Sequence, residues 1–408
     1  MCAGVAGGQK CGQVTASGGR GVLGESFRQS RCFCEQRTGV QVMKIIGAFK
    51  SGLLLAGLSL SAGAALADCN FIDGTSTMVR TQPLLGGNLT VGRDVPLGAE
   101  IYRQTFQAAT FVRLSCSAGL YNIETRRGLP NKPLGLSSWA GTPWAGNVYQ
   151  SGVPGIGVAI WYAGSALPFS GNGTNCGGGV NACIWTIQNT LIFDMSLIKI
   201  GDVSPGTIQG AQLPTADQRW VTSNNVEVSR VNFSGSINIV SRTCQTPDVT
   251  VPMGTHMLNE FSGKNTFTQW QDFSIALNNC PAFNGYYQNT GPRWASDGTS
   301  SNLDSRKNNV LQVRLDPTRT AITPNLGIMS LNPSAPGADP AATGVGLQIA
   351  DSHGTPLPLA TLRASGITPR AVEGASYTIP LKARYIQTGD SITAGPANAT
   401  ATFTINYY

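Results

Sequence analysis

The chain ends in the sequence ATATFTINYY, residues 399–408, in which apolar and polar side chains alternate. A period of two residues predicts a β-strand with one buried face, because successive side chains of a strand point to opposite sides. Taken alone, the pattern equally favours an ordinary last strand that completes a β-sandwich. The side chains predicted to share the buried face are Ala399, Ala401, Phe403, Ile405 and Tyr407.

Strand patterns recur upstream, where β-branched and aromatic runs are separated by clusters of Gly, Pro, Asn and Ser. No capped stretch of helical period is present. We therefore predict an all-β fold of two immunoglobulin-like β-sandwich domains in tandem, with a boundary near residue 242 that separates 68–242 from 243–408. The predicted strand segments are 156–162, 190–200, 226–240, 273–277, 310–315, 346–349, 377–385 and 399–408.

The composition excludes several classes of protein. The 50 Gly and 23 Pro among 408 residues argue against a helical bundle, and 41% hydrophobic with 12% charged residues argues against disorder. With only two histidines, His256 and His353, the chain has little material for a His-based metal site. Residues 1–67 hold seven of the 28 basic and two of the 21 acidic residues. The remaining 21 basic and 19 acidic residues leave a nearly neutral body, which is not typical of nucleic-acid binding.

Residues 43–67 have the organisation of a secretory signal peptide. Lys44 and Lys50 precede a short apolar run over 52–65, and Ala65-Leu66-Ala67 forms a small-x-small cleavage site. The apolar run is too short to span a bilayer comfortably. We expect cleavage after Ala67. We interpret residues 1–42, which precede this signal, as a mis-assigned upstream extension.

Six cysteines follow the predicted cleavage site. An even number in an exported chain indicates disulfides formed in an oxidising compartment. Fifteen pairings are possible, and sequence order favours pairing consecutive cysteines; zinc binding is the weaker alternative, because no CxxC spacing occurs. The six residues are Cys69, Cys116, Cys176, Cys183, Cys244 and Cys280.

The C-terminal half carries a set of motifs that resembles the pilin domain of chaperone–usher pilus subunits. Tyr407 is the penultimate residue and Gly395 stands fourteenth from the end, in addition to the alternating terminal strand. The resemblance extends over nearly all of 243–408, and the first domain is more weakly similar to adhesin domains. The segments that carry it are 244–254, 273–281, 344–349 and 379–385 in the second domain, and 153–158 and 196–199 in the first.

This resemblance implies a mechanism of assembly. The pilin domain would be an incomplete sandwich that lacks its last strand, which a periplasmic pilus chaperone and then the N-terminal extension of the adjacent pilin subunit supply. An outer-membrane usher would export the subunit to the cell surface. The chaperone would also hold the Tyr408 carboxylate with basic side chains. The residues expected to line the donor-strand groove or contact the chaperone are Ala401, Phe403, Ile405, Tyr407 and Tyr408.

The other end of the mature chain predicts its position in the pilus. Only Asp68 would precede Cys69 after cleavage, which leaves no segment to insert into a neighbouring subunit. A subunit that accepts a strand but has none to donate must be the last in the chain. We therefore expect a fimbrial tip adhesin, with 68–242 as its receptor-binding domain.

The receptor-binding residues are predicted from two Gly-rich loops. Trp139, Trp144 and Asn147 lie in one loop, and exposed aromatic residues in loops favour binding, for example of a host glycan. Asn175 and Asn181 flank the Cys176–Cys183 segment and would present amides to a ligand. The alternatives are that either indole packs onto the core and that the second loop is only a hairpin tip. Trp161 and Trp185, in strand-like runs, are expected in the core.

No motif for catalysis or for a cofactor is present in the sequence. The chain has no G-x-S-x-G, P-loop or HExxH pattern and no GxGxxG that follows a strand, so we expect no enzymatic activity and no cofactor. Three functions remain open: a tip lectin, a tip adhesin for a host protein or a surface, and a structural or assembly-initiating tip subunit without a glycan ligand.

Overall fold

The computed structural model of the chain describes residues 67–178 and 181–408. The predicted upstream extension 1–42 and all but the last residue of the predicted signal peptide 43–67 lie outside these residues. No helix in the described ranges is long and apolar enough to cross a membrane. The all-β prediction is confirmed, because regular structure within these described residues consists of strands and three single-turn 3₁₀ helices, Gly210–Gln212, Leu258–Glu260 and Pro324–Leu326.

The described residues before Arg242 form sixteen strands. Most of them are short and are separated by glycine-containing turns, as the sequence predicts. They are β1 Cys69–Phe71, β2 Met78–Pro83, β3 Asn88–Thr90, β4 Glu100–Gln107, β5 Val112–Cys116, β6 Asn122–Asn131, β7 Tyr149–Gln150, β8 Ile156–Tyr162, β9 Ser165–Ala166, β10 Phe169–Asn175, β11 Cys183–Ile187, β12 Ile192–Lys199, β13 Gly206–Gln209, β14 Thr215–Val221, β15 Asn225–Ser234 and β16 Ser236–Val240.

The segment 226–240, predicted as one strand, is divided between β15 and β16. Gly235 separates them with a φ of 71°, in the left-handed region that glycine adopts at little cost. The two parts then pair in different sheets, β15 with β14 and β2, and β16 with β13 and β3. The continuous β-branched pattern of 226–240 therefore does not reveal that the chain passes from one sheet to another at Gly235.

The residues after Arg242 form nine further strands. Every predicted segment of this half coincides with one of them. They are β17 Gln271–Cys280, β18 Arg293–Ala295, β19 Ser300–Ser301, β20 Leu311–Pro317, β21 Ile328–Met329, β22 Val345–Asp351, β23 Arg363–Ala364, β24 Ala375–Gln387 and β25 Ala401–Tyr407.

The second half packs two sheets face to face. One has the strand order β17-β24-β22-β21 and the other β23-β20-β25. Their facing residues form a hydrophobic core that includes Ile275, Leu347 and Leu381 from the first sheet and Val313 and Ile405 from the second. Burial of alternate side chains from both sheets is the arrangement expected of a β-sandwich.

The first half forms a larger core in which four sheets meet. Their orders are β1-β5-β11, β10-β6-β14-β15-β2, β13-β16-β3 and β19-β18-β4-β12-β8-β7. The last sheet contains β18 and β19 from the second half of the sequence, with β18 parallel to β4. Tyr287 and Trp294 from the same segment belong to the first core. The domain boundary near residue 242 stays a prediction. Residues 284–307 follow this boundary in the sequence, but they pack against the core formed by the residues before it.

The six cysteines form three disulfides in the order that the sequence favours. Cys69 is bonded to Cys116, Cys176 to Cys183, and Cys244 to Cys280. The first joins β1 to β5 and the third joins the start of the second half to the end of β17. These two disulfides span sequence separations of 47 and 36 residues, against 7 for the second, and therefore restrict the unfolded chain most.

Candidate functional site

The terminal strand β25 buries one face, as its alternation predicts. Ile405 and Tyr407 are 6% and 4% exposed, and Ala401 and Phe403 are partly buried against the same core. Along its length β25 pairs with one strand, β20, in antiparallel register. The strand therefore forms an edge of its sheet in the part of the chain that the structure describes.

The hydrogen-bonding pattern identifies which backbone groups of β25 face away from β20. Tyr408 and Val310 exchange both N–H···O bonds, and Thr318 N–H donates to Thr400 O. Because such pairs alternate in an antiparallel ladder, the N–H and C=O groups of Ala401, Phe403, Ile405 and Tyr407 point to the open edge. The apolar side chains and the outward backbone groups thus belong to the same residues.

A groove of about 690 Å³ opens beside this edge. It is lined by the segment 249–256 and by residues 392–399, Ala401 and Phe403. Within the described residues, the backbone of 246–256 makes no backbone–backbone hydrogen bond. The lining of the groove is mainly apolar and includes Val249, Met253, Phe273, Leu347, Tyr385 and Phe403.

Gly395 lies where the groove wall approaches another loop. A Cβ atom at this position would lie 2.1 Å from the carbonyl oxygen of Pro340, so only glycine fits. Two residues further on, the Ala397 carbonyl accepts a hydrogen bond of 2.6 Å from the Tyr385 hydroxyl on β24. These two contacts fix the chain that leads into β25, and they account for the glycine that the sequence marks fourteen residues from the end.

Tyr407 anchors the end of β25. Its ring stacks on Phe283 at 6.4 Å between centroids, and its hydroxyl oxygen accepts the Cys244 N–H at 3.1 Å. Burial raises the pKa of the Tyr407 hydroxyl. One carboxylate oxygen of the next residue, Tyr408, accepts the Val310 N–H and, at 3.1 Å, the Asn309 side-chain amide. No Lys or Arg of the described residues forms an ion pair with the terminal carboxylate.

Two residues that the sequence patterns do not single out contact the same edge. The Asp94 carboxylate accepts the Tyr407 N–H at 2.9 Å, and Asp94 N–H donates to the Tyr407 carbonyl at 3.2 Å. The Arg93 guanidinium donates to the Ile405 carbonyl at 3.4 Å. A loop between β3 and β4 has no local pattern that predicts a partner 313 residues away.

The aromatic loop places its two tryptophans on one face of a sheet. Both are half-buried and pack beside Val148, Ala159 and Ile198. The Trp139 indole N–H donates to Pro143 O at 2.9 Å, and that of Trp144 donates to Gly164 O at 3.2 Å. The indole hydrogens are therefore already bonded, while part of each ring stays exposed. Asn147, also half-buried, closes the loop by donating its backbone N–H to Trp144 O at 2.9 Å.

Trp161 departs from the prediction that it lies in the core. It is half-buried and stacks on Trp144 at 5.4 Å, with the Arg103 guanidinium 4.8 Å from its centre. Its indole N–H donates to Ser196 Oγ at 2.9 Å. The period of β8 would have identified this: Ile156, Val158 and Ile160 face the core, so Trp161 takes the other face.

The remaining candidates lie elsewhere. Asn175 and Asn181 are exposed at the disulfide loop between β10 and β11, two strands of different sheets from the one that carries the tryptophans. Gly179 and Val180 of that loop lie outside the described residues. Trp185 is half-buried and packs against the core beside Trp220, at 5.7 Å between centroids. In the described ranges, no group of His, Cys, Asp or Glu is arranged to hold a metal ion.

Comparison with known proteins identifies the family. Residues 231–408 match the family model described as fimbrial protein. The type-1 fimbrial protein subunit of Serratia marcescens is 30% identical over 184 residues, which cover 43% of this chain and 85% of that protein. The chain therefore belongs to the fimbrial protein family, whose members are non-enzymatic subunits of surface fimbriae. The resemblance found in the C-terminal motifs is confirmed.

Two solved structures are similar to this chain at low identity and low TM-score. The CupB6 tip adhesin from Pseudomonas aeruginosa is 15% identical with a TM-score of 0.31, over 83% of this chain and 95% of that one. The receptor binding domain of the adhesin MrkD1P of Klebsiella pneumoniae is 19% identical with a TM-score of 0.29, over 44% of this chain and 98% of that one. At these identities and TM-scores, the function of this chain has to be argued from its own residues.

Proposed function

We propose that this fimbrial protein is a tip adhesin whose second half is completed by a strand from another protein. The observation that carries the proposal is the apolar groove between segment 249–256 and the edge of β25. In the described residues the backbone of 246–256 makes no backbone–backbone hydrogen bond, the outward backbone groups of Ala401 and Phe403 have no partner, and many of the lining side chains belong to the core of the sandwich. An extended segment with apolar residues at every second position would satisfy both requirements at once.

Exposure of such an edge is hazardous, because it templates pairing with other chains. A periplasmic chaperone would cover the groove during export, and the N-terminal extension of the adjacent pilin would replace it at the usher. Phe403, Ala401 and Ile405 would contact the donated side chains. The Tyr408 carboxylate, at the end of the same strand, would be available to cationic side chains of the chaperone.

The groove is tested by thermal unfolding of the mature chain with a peptide of about ten residues that alternates apolar and polar positions. Ligand binding to the folded state raises stability by mass action, so we expect the melting temperature of the second core to rise with peptide concentration. A peptide with serine at each apolar position is the control. An unchanged melt at saturating peptide would contradict the proposal.

The position at the tip follows from the predicted cleavage site. Cleavage after Ala67 would leave Asp68 alone before β1, which begins at Cys69. Such a subunit accepts a strand and has none to donate, so it ends the fibre. N-terminal sequencing of the exported protein tests this proposal, with Asp68 expected as the first residue. A mature start that leaves more than about ten residues before Cys69, enough for a strand, would contradict it.

The first half is the proposed receptor-binding part, with Trp139, Trp144 and Asn147 as candidate ligand contacts. The rings of Trp144 and Trp161 form a stacked, partly exposed aromatic surface flanked by Arg103. Aromatic faces stack on sugar rings, and nearby polar groups fix hydroxyls, so a host glycan is the ligand class that we favour. Asn175 and Asn181 would contribute only to a ligand that reaches the separate disulfide loop.

A structural or assembly-initiating tip without a glycan ligand is the second candidate. The bonded indole hydrogens of Trp139 and Trp144 favour it, because both rings also serve to hold their own loop against the sheet. A host protein as receptor is a third possibility, and it requires a surface rather than a pocket. The two tryptophans therefore have a packing role under all three candidate functions. They have a binding role only if the first half binds a receptor.

A glycan array with the mature chain separates these functions. We expect a reproducible signal that Trp144→Ala reduces at least about tenfold, or roughly 1.4 kcal/mol, while the matched variant Trp270→Ala in the second half leaves it unchanged. Circular dichroism confirms that each variant is folded. A silent array with folded protein would favour the structural tip, and binding to an extracellular-matrix protein would then favour the protein receptor.

A further inference from the structure

The open edge of β25 is blocked at one end by the molecule itself. The outward backbone groups of Tyr407 are both bonded to Asp94, and the outward carbonyl of Ile405 is bonded to Arg93. Among the described residues, no hydrogen bond reaches the outward groups of Ala401 and Phe403, or the Ile405 N–H. The edge therefore has a free part and an occupied part, and the division falls at Ile405.

The blocking loop, residues 92–95, is held in place by the first half. The Lys199 ammonium at the end of β12 donates to the Arg93 carbonyl, and Val95 N–H donates to Gly92 O at 3.3 Å. Gly92 makes the closest approach, since a Cβ atom there would lie 2.0 Å from Tyr407 O. The residue at 92 must be glycine for the loop to reach the strand, and the contact is consequently a built feature of the fold.

We infer that loop 92–95 is a stop that sets the register of the donated strand. This inference rests on the proposed function, because it assumes that a strand enters beside β25. Pairing can extend along residues 401–405, about 17 Å at roughly 3.3 Å per residue, and must end there unless the loop moves. Since a shift of one residue turns every side chain of a strand to its other face, a fixed end selects the apolar positions that enter the groove.

Arg93 and Asp94 also place the stop at the junction between the two halves of the chain. The loop leads from β3, which pairs with β16, and the blocked residue Tyr407 packs beside Cys244 at the start of the second half. A donated strand that ends at Ile405 would therefore lie against the first half without displacing it. The inferred occupant is an extended segment of another chain, whose last paired residue faces Ile405.

Hydrogen–deuterium exchange resolved to single amides tests the stop. In the mature protein without peptide, we expect the Tyr407 amide to be protected and the Phe403 and Ile405 amides to exchange rapidly. The alternating peptide should protect Phe403 and Ile405 at least about tenfold. In Asp94→Ala, the Tyr407 amide should become unprotected without the peptide and protected with it, because its N–H loses the carboxylate and becomes free for a carbonyl of the peptide, while the Asp94 N–H still holds the Tyr407 carbonyl.

Two further variants complete the test. Arg93→Ala removes an exposed side chain with its bond to Ile405 O and its ion pair with Asp94, and leaves the Asp94 carboxylate on the Tyr407 N–H, so it should weaken the stop without exposing the Tyr407 amide. Asp316→Ala is the matched control, since Asp316 pairs with Arg314 on β20 and does not contact the open edge. It should leave all three amides as in the unaltered protein.

The outcomes separate the two proposals. If no peptide protects Phe403 or Ile405 in any variant, the donor groove is wrong and the stop falls with it. If the peptide protects these amides but Asp94→Ala exchanges and binds like the unaltered chain, the groove stands and the stop is wrong. Displacement of Asp94 by the peptide in the unaltered protein, seen as a change at Tyr407 on binding, would also overturn the stop.

Discussion

Asp94 and Tyr407 are 313 residues apart in the chain and exchange two hydrogen bonds, at 2.9 Å and 3.2 Å. The pair joins a loop of the first half to the last strand of the second. It satisfies both outward backbone groups of Tyr407, which an edge strand would otherwise expose. The last strand is thus hydrogen-bonded to a loop of the first half at the edge where the proposed partner would bind.

The hydroxyl of Tyr407 should contribute to stability through a single bond. Tyr407→Phe removes the acceptor of the buried Cys244 N–H and keeps the stack on Phe283. We expect the free energy of unfolding to fall by about 1–3 kcal/mol, the cost of an unsatisfied buried donor. Tyr149→Phe is the matched control, because Tyr149 is also buried and its hydroxyl has no hydrogen-bond partner among the described residues. Equal losses in the two variants would contradict the prediction.

Arg306 should stabilise the first core although it lies in the second half of the sequence. Its guanidinium donates to the carbonyls of Gly86, Asn88 and Asn284 and lies 5.0 Å from the Tyr287 ring. Arg306→Lys keeps the charge and loses the fork that reaches several carbonyls. We expect a loss of about 1.5–3 kcal/mol in denaturant unfolding, against no change for the exposed Arg319→Lys. An unchanged free energy of unfolding for Arg306→Lys would mean that residues 284–307 pack against the first core without needing the hydrogen bonds of the Arg306 guanidinium.

Asp194 should make stability depend on pH in a defined direction. Its carboxyl on β12 accepts a hydrogen bond from Thr105, and burial raises its pKa, which the Thr105 bond and nearby Arg103 partly oppose. A raised folded pKa gives stability that is present below the unfolded value, about 3.9, and is lost as pH rises through the folded value. Asp194→Asn avoids that loss. We therefore expect the free energy of unfolding of Asp194→Asn, measured by chemical denaturation relative to the unaltered protein, to be higher at pH 7 than at pH 4. A difference between the two proteins that does not change with pH would contradict this.

Gly395 should tolerate no side chain. Gly395→Ala would place its methyl group 2.1 Å from Pro340 O, so the wall of the groove must shift. We expect about 1–3 kcal/mol of destabilisation, the usual cost of overpacking, together with weaker donor-peptide binding. Gly171→Ala on β10 is the control, because a Cβ atom there meets no other atom within 4 Å. Unchanged melting and peptide affinity for Gly395→Ala would show that the loop relaxes freely.

Local patterns predicted most of the secondary structure and the buried face of β25. The alternation in 399–408 works because a two-residue period is a property of the strand itself and needs no knowledge of its neighbours. The same period, applied to β8, places Trp161 on the face opposite Ile160, so its position was predictable although the run was read as core. The split at Gly235 was not, because a glycine within a β-branched run is compatible with either one strand or two.

The sequence alone determined the all-β class, since it depends on composition and short-range spacing, and its motifs were enough to show the resemblance to the fimbrial family. Only the tertiary structure decided that residues 284–307 complete the first core, that Trp144 stacks on Trp161, and that Asp94 closes the edge of β25. These contacts join residues of different strands and loops through one or two hydrogen bonds or through ring faces. Such contacts leave no period in the sequence, because their geometry exists only once the sheets have packed.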